Sequence, residues 1–182
     1  MRKANKEITD RPVIERLLGT CAVGRLGTNG RDGYPVVKPL NFAYHGGRIY
    51  FHTAKEGEKI EDIGRDDRVC FEVDLPIAFV KGMPDNPCKA EYLYRSVIAF
   101  GRATIVADEA ERGRAFKALM DKYQPGGEYG PYLPEKLGLT GIVRIEIERM
   151  TGKEDLGTGA LREKVLAALK AGAQLPLELE RE

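Results

Sequence analysis

The chain has 182 residues, 42% hydrophobic and 31% charged, with no tryptophan; this is the composition of one globular domain with appendages, long enough to bury a core without staples. Lys+Arg numbers 29 and Asp+Glu 28, a formal charge of +1, so nothing favours electrostatic capture of nucleic acid or of an anionic membrane. The opening MRKANKEITD has no apolar segment behind its charges, and no run approaches the roughly 18 apolar residues of a spanning helix, so a cytoplasmic protein without membrane contact is expected.

ITDRPVIERLLGT (8–20) predicts a short opening helix. Thr9 or Asp10 is placed to cap it, Pro12 suits its first turn, Val13, Ile14, Leu17 and Leu18 share a face, and Gly19 should end it. Beyond it the period changes to two, with strand candidates TCAVGRLG, YPVVKPLNFAY and RIYFHT separated by TNGRDG and HGG. Asn-Gly, Asp-Gly and Gly-Gly are hairpin turn chemistry, so these three strands are expected to form an antiparallel meander. GEKIEDIGR (57–65) then predicts a short helix facing inward through Ile60 and Ile63.

RVCFEVD and LYRSVIAFGRATIVAD supply two further strands, followed by a helix over DEAERGRAFKALMDKY (108–123). Asp108 and Glu111 form a capping box there, and Ala115, Phe116, Leu119, Met120 and Tyr123 make an apolar stripe. QPGGEYGPYLPEKLGLT reads mostly as loop. GIVRIEIERM alternates as a strand with one wet face, placing Val143, Ile145 and Ile147 inward. TGALREKVLAALKAG closes as an amphipathic helix, capped by Thr158 and stopped by Gly172, with an apolar face that needs a partner. Five or six antiparallel strands with few helices point to a small barrel, because closing the sheet removes exposed edges.

Three widely spaced cysteines argue against a disulfide framework or a CxxC site. Cys21 and Cys70 sit in apolar runs and read as buried hydrophobes, Cys88 lies in a loop, and no metal-ligand spacing joins them to His45 or His52. GxGxxG after a strand, GxxxxGK[ST], HExxH and GxSxG are all missing, and neither histidine has a nucleophile beside it in sequence.

One joint carries a chemical signal. In IYFHTAKEGEKIEDI, Ile49 and Phe51 point to one face of a strand and Tyr50 and His52 to the other, which sets His52 on the outer wall just before a helix. Lys59 then falls in the first helical turn, where the macrodipole disfavours a cation by about 0.3–1 kcal/mol. Free backbone N–H groups of residues 54–57, the Thr53 hydroxyl and the Lys59 ammonium together suit a phosphate, and Gly57 permits close approach. The same residues also fit a plain joint, in which Thr53 caps the helix, Lys59 pairs with Glu56 or Asp62, and His52 bonds locally. Upstream, Pro39 belongs at an edge or a break, leaving the backbone groups of Lys38, Leu40 and Asn41 free for a planar polar partner, or simply exposed.

Taken in order, DGYPVVKPLNFAYHGGRIYFHTAKEGEKIEDI, VCFEVD and PCKAEYLYRSVIAFGRATIVAD resemble the pyridoxamine 5′-phosphate oxidase-like superfamily of flavin-binding split β-barrels, in particular its branch related to nitroimidazole-resistance proteins. The resemblance covers roughly residues 3–153. It implies a mainly β (α+β) fold: a six-stranded antiparallel split β-barrel with flanking helices over residues 1–153; residues 154–182 lie outside the resemblance and are expected to form a C-terminal helical extension. It further implies a homodimer with FMN in clefts at the subunit interface. Lys38, Pro39, Leu40 and Asn41 would lie alongside the flavin ring, His52, Thr53 and Ala54 would pass the ring and ribityl chain, and Lys59 would meet the phosphate. Ser96 would face the cofactor from the partner chain. Relatives often read His-Ser-Ala where this chain reads His52-Thr53-Ala54, a change that keeps the hydroxyl.

From this follows the expectation of an FMN-dependent oxidoreductase that passes electrons from a reduced nicotinamide or another donor to a small nitro- or quinone-type acceptor. His52 would be its catalytic proton donor. The alternative is a non-catalytic flavin carrier, or a haem-binding split barrel with His45 or His52 on the iron. Pyridoxamine phosphate oxidation itself is not expected, because its substrate-phosphate site and C-terminal motif are not found.

Overall fold

Residue alternation in the strand segments builds one antiparallel sheet whose two edges are consecutive pieces of chain. In the computed structural model, which describes residues 4–179, a turn of 3₁₀ helix (Ala4–Lys6) leads into β1 (Glu7–Ile8), α1 (Arg11–Thr20), β2 (Gly24–Asn29), β3 (Pro35–Leu40), β4 (Ala43–His45), β5 (Arg48–Ala54) and α2 (Glu58–Arg65). There follow β6 (Arg68–Val80), β7 (Glu91–Ile105), α3 (Glu109–Tyr123), α4 (Pro134–Leu139), β8 (Thr140–Asp155) and α5 (Gly159–Lys170). Residues 1–3 and 180–182, the outer ends of the two expected segments, lie outside the described residues. No helix among the described residues is long and apolar enough to cross a membrane.

The sheet has eight strands in the order β3-β2-β6-β7-β8-β5-β4, with β1 paired to β8. This corrects the expected count of six and the expected meander. The segment 34–44 is not one strand: it breaks at Asn41 and Phe42, so β3 pairs with β2 at one edge while β4 pairs with β5 at the other. Phe42 is fully buried at the break, and two residues of chain close the barrel where a hydrogen-bonded ladder would otherwise be needed. Pro39 sits on edge strand β3, opposite Arg25, where its missing N–H costs no ladder bond on the open side.

The barrel interior is filled by Leu26, Ile49, Phe51, Phe71, Val73, Val143 and Ile145. Its end is covered by Ile14, Leu17 and Leu18 of α1, which continues through Gly19 to Thr20. Asp10 and Thr158 stand at the N-cap positions of α1 and α5 but make no side-chain cap bond, whereas Asp108 caps α3 by accepting the Glu111 N–H at 2.7 Å; the Glu111 carboxylate turns to Tyr50 and Arg144, so the expected capping box is present only in this half. Cys21 is buried beside α1, Cys70 half-buried and Cys88 exposed. A second cluster, formed by Ala43, Tyr50, Ala115, Leu119 and Ile142, docks α3 on the barrel's outer wall.

The third cluster lies away from the barrel. The long hairpin of β6 and β7 extends as an arm, and Ile77, Val80 and Leu93 on it pack against Leu156, Val165, Leu161 and Leu169 of the C-terminal part. Leu177 N–H donates to the Ile77 carbonyl at 2.7 Å, so the chain returns to the arm after α5. The apolar face of α5 therefore finds its partner on its own chain.

β7 and β8 carry one of the two longest ladders, equal to that of β6 and β7, and its register shifts between Phe100 and Gly101. A Cβ built at Gly101 would stand 2.0 Å from the Glu146 carbonyl oxygen, so only glycine fits this close approach. Gly101→Ala is expected to destabilise the protein by about 1–3 kcal/mol, the usual cost of overpacking. A lowered urea midpoint with an unchanged slope checks this.

Candidate functional site

The end of β5, the start of α2 and the edge strand β3 meet at one rim of the barrel, and buried polar contacts fix each of them. α2 is held by Asp62, which is 1% exposed, accepts from the Thr28 hydroxyl at 2.9 Å and pairs with Arg65 at 2.8 Å. The Arg65 guanidinium is the first cause holding the Asp62 carboxyl below its ordinary value. This anchor fixes the N-terminus of α2 at the rim. Gly57 precedes the helix at φ +107°, a conformation open to glycine, and nothing lies within 4 Å of where its side chain would be.

Two lysines converge there. The Lys59 ammonium lies 5.2 Å from the centroid of the Phe51 ring and pairs with neither Glu56 nor Asp62. Burial, and then the neighbouring Lys38 ammonium, hold it below the ordinary lysine value. Lys38 reaches from β3 to the Glu58 carboxylate at 2.6 Å; its tip is buried and makes no well-angled hydrogen bond. Glu58 itself is 64% exposed at the side chain. A helix start, two cations and one displaceable carboxylate form a cradle suited to a more highly charged anion.

The other expected residues fall into two adjoining clefts. Thr53 and Ala54 line a cleft of about 610 Å³ together with Lys55, Ile60, Arg112 and Leu137. Asn41 and His52 line a smaller cavity of about 290 Å³ closed by α3 and α4, and Leu137 borders both. Thr53 does not cap α2, since Gly57 occupies the cap position. Leu40 packs against the barrel core, and Pro39 is exposed beside it. His45 pairs with Arg48 at the far end of the β4–β5 hairpin, so the two histidines do not share a site. Ser96 pairs with Lys153, eleven positions along β8 from the partner of His52, which is on the order of 30 Å of strand. Within one chain Ser96 cannot join the rim. Among the described residues no group of three His, Cys, Asp or Glu is placed to hold a metal ion.

Sequence reasoning missed the residues that position this rim. Tyr123, read as part of an apolar stripe, uses its hydroxyl to accept the Phe42 N–H at 2.9 Å and to offer its proton to the carbonyls of Ala22 at 2.7 Å and Phe42 at 3.1 Å. It thereby clamps the break between β3 and β4. Lys122 stands 3.5 Å over the Phe42 ring and donates to the Leu18 carbonyl at 3.1 Å, and burial brings its ammonium down to about 8. Glu111 ties α3 to the wall through the Tyr50 hydroxyl at 2.8 Å and Arg144 at 3.0 Å. Arg112, buried on the same helix, donates to the Leu137 and Thr140 carbonyls, both at 3.1 Å, and so pins α4 over the cavity. α4 lies within the segment expected to be loop.

A family model described as pyridoxamine 5′-phosphate oxidase matches residues 10–154. No curated protein matches significantly. Among solved structures, a candidate 5-nitroimidazole antibiotic resistance protein from Bacteroides thetaiotaomicron is 25% identical, with 81% of this chain and 86% of that one covered and a TM-score of 0.72. An FAD- and haem-binding protein from Mycobacterium smegmatis is 24% identical, covering 90% and 80%, with a TM-score of 0.75. A flavocytochrome from Azotobacter vinelandii is 22% identical, covering 92% and 77%, with a TM-score of 0.76. The last two likenesses establish the shared fold.

Replacing Tyr123 by Phe leaves three backbone groups without their partner, which is expected to cost about 1–3 kcal/mol. Equilibrium urea unfolding of Tyr123→Phe against the parent measures it.

Proposed function

Since the chain belongs to the pyridoxamine 5′-phosphate oxidase family, we propose that it is an FMN-binding oxidoreductase, acting as a cytoplasmic homodimer. The observation that carries this reading is the convergence of Lys38 and Lys59 on the open start of α2, beside the half-paired edge of β3. Two ammonium groups brought together against their own repulsion, with a buried tip lacking a good hydrogen bond, fit the terminal phosphate of a mononucleotide. The 610 Å³ cleft at Thr53 and Ala54 is within the size range of small-ligand sites. FAD-binding proteins among the structural relatives support a flavin, and the choice of FMN rests on the phosphate cradle.

In this proposal the α2 amides and both lysines hold the phosphate, while Thr53 and Ala54 flank the ribityl chain. The backbone of Lys38, Pro39, Leu40 and Asn41 offers donors and acceptors to the polar edge of the ring. Ser96 enters from a second copy, because its place on β7 keeps it from the rim of its own chain. When bound, FMN supplies two-electron chemistry, taking a hydride from a reduced nicotinamide and passing it to a small nitro- or quinone-type acceptor. His52 is exposed toward the smaller cavity and its ring has no hydrogen-bond partner among the described residues, so its imidazole is available to hand a proton to the acceptor oxygen.

Purified protein titrated with FMN is expected to acquire a bound-flavin spectrum, and chromatography of the flavin released on denaturation distinguishes FMN from FAD. Absence of any bound flavin overturns the reading. Lys59→Met removes a charge-assisted contact and is expected to weaken FMN binding about 10- to 100-fold while leaving riboflavin binding nearly unchanged. In turnover with a quinone, His52→Ala is expected to lower kcat by about 100-fold, as removal of a proton donor does, with FMN still bound; a rate equal to the parent's removes His52 from catalysis.

A further inference from the structure

The smaller cavity has a composition that selects its occupant. Its walls are apolar and partly aromatic: Leu119 and Phe116 from α3, with Tyr132 and Leu133 from the segment before α4. The Phe116 and Tyr132 rings, both lining the cavity, stand 5.8 Å apart at 43° as a tilted pair. The polar groups are few. Asn41 and His52 lie on the barrel side and Lys136 on α4, and the side chains of all three are without hydrogen-bond or ion-pair partners among the described residues. The Tyr123 hydroxyl, by contrast, is fully spent on the Phe42 and Ala22 backbone. No carboxylate lines the cavity.

We propose that this cavity binds a one- or two-ring aromatic anion, with Lys136 as its counter-charge and the ring between Phe116, Tyr132 and Leu119. At about 290 Å³ it stands at the small end of ligand sites, too small for a tricyclic flavin with its ribityl phosphate. The walls favour a flat apolar body, and a cation with no ion-pair partner among the described residues favours a negatively charged oxygen substituent over a neutral or cationic one. Arg112 holds the Leu137 and Thr140 carbonyls, so α4 and Lys136 are fixed over the opening by a buried residue that lies outside the cavity. The assignment of this anion as electron acceptor rests on the proposal that the flavin lies beside His52; the binding itself does not.

The test uses 4-nitrobenzoate and its uncharged analogue 4-nitrobenzamide as probes, titrated into flavin-free and FMN-supplemented full-length protein and followed by backbone amide NMR shifts. The benzoate is expected to bind about tenfold more tightly than the benzamide, the worth of one charge-assisted contact, with shifts centred on Asn41, His52 and Lys136. Lys136→Gln is expected to abolish that preference while leaving the benzamide affinity and FMN binding as they were. Equal affinity for the two probes, a preference that survives in Lys136→Gln, or shifts centred elsewhere would overturn the proposal. Failure of FMN to bind with the probe preference intact would sink the cofactor reading and leave the aromatic-anion site standing.

Discussion

The structure depends on how its barrel is closed. β3 and β4 are the two ends of the strand order, yet they are joined by Asn41 and Phe42 alone. A ladder between them would have spent the backbone groups of β3 and left no exposed edge; a covalent joint closes the barrel and keeps the edge open. That joint costs a burial problem, since the peptide groups around Phe42 leave the sheet inside a packed region. The Tyr123 hydroxyl answers it from 81 positions away, and the Lys122 ammonium over the Phe42 ring fixes the side chain below. α3 thus serves the closure of the barrel as well as covering its wall.

The candidate site is a by-product of the same arrangement. Because β3 ends at the break, Lys38 lies on its free edge and can reach α2; because β5 ends at the same rim, Thr53 and His52 flank that helix start on opposite faces of one strand. α2 is placed by the buried Asp62 contacts, and α3 by Glu111. Asp62 is buried and Glu111 largely so, and a carboxylate so placed is costly to leave unpaired. They act on the site through position: none of them touches either cleft's free polar groups.

Much of this was legible in the sequence, and the limits are physical. Periodicity is local, so the helices at 11–20, 58–65 and 109–123 and most strands could be read directly, as could the N-cap at Asp108. The edge character of β3 was legible in Pro39, and a lysine in the first turn of α2 stood out against the helix dipole. The break at Asn41 was not legible, because alternation runs almost unbroken through YPVVKPLNFAY and only closure of the whole sheet decides which edge each half joins. Lys38 was expected to contribute its backbone, yet its ammonium faces Glu58, a direction that no local pattern encodes. α4 was masked by the glycines and prolines around it, and Arg112 by the usual expectation that a helical arginine faces water.

The arm of β6 and β7 carries a different kind of consequence, one that concerns biosynthesis. Among the described residues its apolar face, including Ile77, Val80 and Leu93, is covered by residues from Leu156 onward. As the chain emerges during synthesis, both strands of the hairpin are complete some fifty residues before their cover exists, since Ile105 precedes Leu156 by that distance. The barrel can begin to condense in that interval while the arm waits with its greasy side bare, the kind of exposed strand surface that invites contact between nascent chains. The C-terminal leucines therefore act as a built-in escort, and the period before they arrive is when the polypeptide has most need of a chaperone.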